Sequence, residues 1–211
     1  MGGLCGTRSD ILLDRTVLHD FVCIVMKILP IALPSCLIVL ACQSSFAATL
    51  QERYDVAMNK LAKAKTEEKR FYALDAAAKT SFEIGKIDEA GNYAQELRML
   101  LLRFKGDWNY GNAVQDSNLV FGRIALREHR DEDAKRFLIA AGNSPGSLQM
   151  DTFGPNMSLA EELLGKDERE TVLQYFELCR KFWKMDRGRL DVWRDQVKAG
   201  RIPDFGANLL Y

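Results

Sequence analysis

Histidine is almost absent from this 211-residue chain: His19 and His129 are its whole complement. A zinc site needs several His or Cys ligands, and a Ser–His or Cys–His nucleophile needs its base alongside. Neither set can be assembled, so no metal and no organic cofactor is expected. Cysteine is scarce in a different way. Four of the five cysteines, Cys5, Cys23, Cys36 and Cys42, fall in the N-terminal segment, and only Cys179 lies beyond it. Once that segment is removed, no internal disulfide can form. An excess of either charge is also missing, with 29 basic and 29 acidic residues. Such a balance offers no basic face of the kind that dominates nucleic-acid affinity, so no nucleic-acid partner is expected. Strand-period alternation is lacking as well, which argues against a sheet.

The N-terminus is organised like an export leader. Lys27 supplies a short positive region, Ile28 to Ala41 an apolar core, and Ser45-Phe46-Ala47 a small-x-small cleavage site. Residues 1–47 are therefore expected to be a leader, with 48–211 as one mature domain. Asp10, Asp14 and Asp20 are out of place in the first region of an export signal, which points to Met26 as the start. Two alternatives remain open. Val39-Leu40-Ala41-Cys42 loosely matches a lipoprotein box that would leave a lipid on Cys42. Phe21 to Cys42 reaches the ~20 residues of a membrane span, interrupted by Lys27, Pro30 and Pro34. Expected locations are thus periplasmic or secreted, or a lipid-anchored membrane protein.

The mature part reads as helix throughout. Leu50, Tyr54, Ala57, Leu61 and Ala64 form the stripe of a first amphipathic helix. A long helix over Lys69–Ile84 ends at Gly85, and Asp88-Glu89 place acid at the start of the next, where the helix dipole favours it. A second pair spans Asn112–Ala141, turning at His129-Arg130 with Asp131 as N-cap. A third spans Asn156–Lys184, turning at Gly165-Lys166, with Asp167 and Glu170 spaced as a capping box. A last helix, Arg189–Ala199, carries Leu190, Trp193 and Val197 on one face and stops at Gly200.

Within these pairs one spacing recurs. Ala78 precedes Ala90, Ala94 and Leu97; Gly122 precedes Ala134, Leu138 and Ala141; Ala160 precedes Val172, Phe176 and Cys179, each first step being twelve residues. These are the offsets at which the two helices of a tetratricopeptide hairpin cross, and small residues there let the backbones approach. The chain resembles tetratricopeptide-like helical repeats. Its segments Gly106–Asn112, Phe153–Asn156 and Arg201–Asn208 also resemble exported bacterial repeat proteins. The resemblance implies an all-α solenoid of about three helical hairpins, with an N-terminal half-repeat helix and a C-terminal capping helix. It implies a surface that binds rather than reacts. Steps of 44 from Ala90 to Ala134 and 38 from Ala134 to Val172 exceed the usual ~34 of this repeat, so the junctions are enlarged.

Candidate binding residues fall in two places. The concave face of such an array would present Tyr72, Asp75, Lys79 and Phe82 from the first pair, Asp116, Leu119, Arg123 and Leu126 from the second, and Met157 and Glu161 from the third. Tyr72 and Phe82 are the expected aromatic anchors, with Lys79 and Arg123 as charge contacts. Asp75 and Leu119 beside them argue against a clamp for a peptide carboxylate. The enlarged junctions hold Trp108, Asn112 and Asn156, within a recurring aromatic-Gly-Asn or aromatic-Gly-x-Asn pattern. Asn there either caps the next helix or hydrogen-bonds a ligand along one edge. Glu161-Glu162 and Asp131-Glu132-Asp133 offer paired acids for hydrolytic chemistry, but adjacent acids on a helix diverge. A non-enzymatic protein- or peptide-binding adaptor of the bacterial envelope is the expected function. A structural lipoprotein and a glycan-binding or glycan-cleaving solenoid are the alternatives.

Overall fold

The computed structural model describes residues 50–209, which are all-helical with no strand among them. The expected leader, with Met26 and Cys42, lies outside the described residues. Helix α1 covers residues 50–63 and buries Tyr54, Ala57 and Leu61, with Ala64 buried just beyond its end. Thr66 then caps α2 (Glu67–Phe71) by accepting from the Lys69 N–H. The long helix expected over Lys69–Ile84 is broken. Tyr72 and Ala73 form a turn, and the chain resumes as α3 (Leu74–Glu83). The break is held by long-range contacts: the Tyr72 carbonyl accepts from Lys60 Nζ at 2.8 Å, and the Tyr72 ring stacks on Trp108.

Three hairpins follow: α3 with α4 (Ile87–Leu100), α5 (Tyr110–Arg127) with α6 (Asp131–Gly142), and α8 (Ser158–Leu164) with α9 (Arg169–Cys179). Each turns in the same way. One residue takes the left-handed conformation, namely Gly85, His129 or Asp167, at φ 84°, 57° and 66°. The next N–H then reaches five residues back: Lys86 to Ser81 at 2.8 Å, Arg130 to Ala125 at 2.8 Å, Glu168 to Leu163 at 3.0 Å. This pairing satisfies the carbonyls that a helix end leaves orphaned. The same bond, Arg201 to Gln196, closes α10 (Arg189–Lys198) at Gly200. It also explains why the expected caps are absent. The turn places Arg130 and Glu168 at the N-cap positions, and neither α6 nor α9 has a side-chain cap bond. Asp131 instead pairs with Lys166, and Asp167, spent on the left-handed position, accepts from Arg169.

At the crossings, Ala78, Ala90, Ala94, Leu97, Ala134, Leu138, Ala141, Ala160, Val172, Phe176 and Cys179 are all buried. Gly122 marks a close approach: a Cβ there would overlap Leu159 of α8 and stand 3.2 Å from the Phe137 Cβ of α6. Beyond α9, α10 covers the core with Leu190, Trp193 and Val197, and Trp193 packs on Phe205 and Trp183 at 4.9 and 5.6 Å between ring centroids.

The segments between hairpins touch one another. A Cβ on Gly111 would overlap the Gly146 carbonyl, and one on Gly146 would overlap Phe182. The Ser144 hydroxyl donates to the Gly111 carbonyl at 2.7 Å. Asn208, 1% exposed, donates to the carbonyls of Phe153 and Pro155 and accepts the Met157 N–H on its own carbonyl. The second junction contains a short helix that the sequence did not announce, α7 (Leu148–Phe153), capped by Ser147.

Candidate binding cleft

A cleft of about 180 Å³ opens where α3, α5 and the α7 junction meet. Asp75 and Lys79 stand four residues apart on α3, and Asn112, Gln115 and Asp116 at helical spacing on α5, so each set lies on one face. Gln149, Met150, Phe153, Gly154 and Asn156 form the opposite wall. Gly154 takes φ 94° there, and a side chain on it would run into the Trp183 ring. The junction backbone can therefore pass close to the core only at glycine.

Two carboxylates share one ammonium in this cleft. Lys79 Nζ is 3.2 Å from Asp116 Oδ2 and 3.9 Å from Asp75 Oδ2, and the side chains of Lys79, Asp75 and Asp116 are 23, 25 and 9% exposed. Burial pulls the Lys79 ammonium toward neutrality, but Asp116 and Asp75 outweigh it and hold its pKa above the ordinary lysine value. Burial drives the Asp116 carboxyl above its usual range, against the attraction of Lys79 and with the charge of Asp75 adding to the rise. With all three ionised, the group carries one net negative charge.

Beside it lies a neutral network. Gln115 donates to the Tyr175 hydroxyl at 3.1 Å and accepts the Asn156 N–H at 3.1 Å, while Tyr175 donates to the Asn156 carbonyl at 2.8 Å. Burial raises the Tyr175 phenol well above its ordinary range and raises the neighbouring Cys179 thiol too. Asn156 Oδ1 accepts from the Ser158 N–H and hydroxyl at the start of α8. Asn112 lies inside α5 rather than before it. It donates to Asn109 at 2.8 Å and Gln149 at 3.0 Å, and accepts from Ser147 at 2.6 Å, tying α5 to α7.

The two surfaces read separately from the sequence therefore meet. Asp75, Lys79 and Asp116 from the helix faces share a cleft with Asn112 and Asn156 from the junctions. Arg123 borders an adjoining crevice of about 20 Å³ together with Lys79 and Asn156, and pairs with Glu162 at 2.7 Å. Phe82 is not the exposed anchor expected of it. It is 2% exposed, roofed by the Arg123 and Arg127 guanidiniums, each 4.3 Å from the ring centre. Tyr72 donates to Asp107 and stacks on Trp108 at 5.6 Å. That pair stands outside the residues lining the cleft, with Trp108 65% exposed. Leu119, Leu126 and Met157 are core residues. Phe153 belongs to the aromatic-Gly-x-Asn pattern read at the second junction, whereas Gln115, Gln149 and Met150 were not singled out from the sequence. The helical register of Gln115 between Asn112 and Asp116 was the one available signal.

Four of the five paired acids are engaged in ion pairs: Glu162 with Arg123, Asp131 with Lys166, Glu132 with Lys135, and Asp133 with Arg130. Among the described residues, no group of three His, Cys, Asp or Glu converges as a metal site, and no helix is long and apolar enough to cross a membrane. The chain matches no protein-family model, no curated protein and no solved structure.

Proposed function

We propose that this protein is a non-enzymatic adaptor that holds a segment of a protein or peptide partner in the cleft between α3, α5 and α7. The single observation behind this reading is the convergence of charged, amide and apolar groups in one opening between helical hairpins. Its volume is below the ~300–1,000 Å³ of sites that enclose a whole small molecule. A single side chain of a larger partner suits it better. Phe153, 51% exposed at its wall, provides the amphipathic border that such contacts use.

The same proposal takes the chain as a tetratricopeptide-like array. Three hairpins with one turn geometry support that reading, as do small residues at their crossings, α1 and α2 as the leading half-repeat, and α10 as the terminal cap. The export-like leader puts its working place in the bacterial envelope, in soluble or lipid-anchored form. A photo-reactive amino acid at position 153 tests the function directly in envelope fractions. Crosslinks to a discrete polypeptide from position 153, but not from the comparably exposed Val192 on α10, are expected. Equal or absent crosslinking at the two positions would contradict it.

A further inference from the structure

We propose that the group received by the cleft is an arginine side chain of the partner. This inference rests on the peptide-binding reading above and deepens it. Its first support is charge. Asp75 and Asp116 share a single ammonium, at 3.9 and 3.2 Å. An entering anion would confront two carboxylates with no spare cation, whereas an entering cation brings the group to balance. An entering cation also favours the ionised form of Asp116, which burial alone disfavours, and partial enclosure screens that attraction less than an open surface would.

The second support is shape. Asp75 and Asp116 give the cleft a polar end, and Met150 and Phe153 give it apolar walls. Both environments suit a long aliphatic stem with a polar head. The planar guanidinium fits this better than an ammonium, because it can pair two-pronged with a carboxylate while lying on an aromatic face. The molecule already contains that arrangement next door. Arg123 lies 4.3 Å over the Phe82 ring while its Nε and Nη2 reach Glu162 Oε1 at 2.8 and 2.7 Å. A partner arginine between Asp116, Asp75 and Phe153 would repeat the pattern one opening away.

The test uses the full 211-residue chain and fluorescein-labelled peptides acetyl-Gly-Ala-Arg-Ala-Gly, with lysine or citrulline in place of arginine, read by anisotropy at low salt. Citrulline keeps the shape and removes the charge. The arginine peptide should bind at least tenfold more tightly than the citrulline peptide and several-fold more tightly than the lysine peptide. Asp116→Asn should cost tenfold or more. Lys79→Met, which removes the competing internal cation, should tighten binding several-fold, an effect that mere damage to the fold would not produce. Equal binding of the arginine and citrulline peptides would overturn the inference and leave the cleft as a peptide site. Failure of all three peptides, with crosslinking from position 153 intact, would also overturn the arginine assignment alone. Loss of both results would remove the adaptor reading itself.

Discussion

Gln115 and Asp116 are consecutive residues of α5, 3 and 7% exposed, yet they belong to polar clusters of opposite kinds. Gln115 joins a neutral network in which donors and acceptors of Gln115, Tyr175 and Asn156 are matched among themselves. Asp116 joins a charged group in which two acids share one base beside an open cleft. A matched buried network fixes a fold, because each partner removed strands another polar atom without water. A charge imbalance at an opening does little for the fold and leaves an interaction for a ligand to complete. The difference separates the residues that build the cleft from those that work in it.

The comparison is broken most forcefully at the junction supporting both clusters. Gly111→Ala would drive a methyl group into the Gly146 backbone, and neither chain can yield easily. The expected loss is about 3 kcal/mol in urea unfolding, with binding impaired as well. Tyr175→Phe attacks the neutral network alone. It strands the Gln115 amide and the Asn156 carbonyl, and should cost about 2 kcal/mol while changing affinity for the arginine peptide less than twofold.

Alkaline titration isolates the same region. Tyr175 and Cys179 both have pKa values raised by burial in the folded chain. They therefore contribute stability that is fully present below the ordinary thiol value of 9.0. It is lost as pH rises past that value and past the ordinary phenol value of 10.0, where only the unfolded chain ionises freely. Melting temperature should fall from about pH 9 upward, and less steeply in a Cys179→Ala/Tyr175→Phe variant.

Asp116→Asn sharpens the comparison from the other side. Lys79 keeps Asp75, and the desolvation of the buried Asp116 carboxylate offsets much of the attraction lost, so stability should change by no more than about 1 kcal/mol, even as peptide affinity falls tenfold or more. The smallest effect belongs to the hairpin turns, away from both clusters. His129 holds φ 57° without being glycine. His129→Gly should relieve that strain and raise stability by about 0.5 kcal/mol, part of the gain being offset by the entropy of the unfolded glycine. Thermal unfolding would check it.

The all-helical class and the turns at Gly85, His129 and Gly200 were legible in the sequence, because apolar periodicity and left-handed turn residues are local signals. The break at Tyr72 and the helix α7 were not. A five- or six-residue helix is stable only through what it packs against, and the contacts concerned, Tyr72 with Trp108 and Ser147 with Asn112, span 35 or more residues. The cleft was half legible. Counting helix positions reached Asp75, Lys79 and Asp116, and the junction pattern reached Asn112 and Asn156. What joins them is the packing of α5 against both α3 and the α7 segment. Phe82 failed as an anchor for a related reason: Arg123 and Arg127, four residues apart on α5, close over it from another hairpin.

The central claim is that the charged half of this pair of clusters awaits a cation. The most direct measurement is the ratio of dissociation constants of the wild-type chain for the citrulline and arginine peptides. A ratio of ten or more is the expected result; a ratio near one would contradict the account.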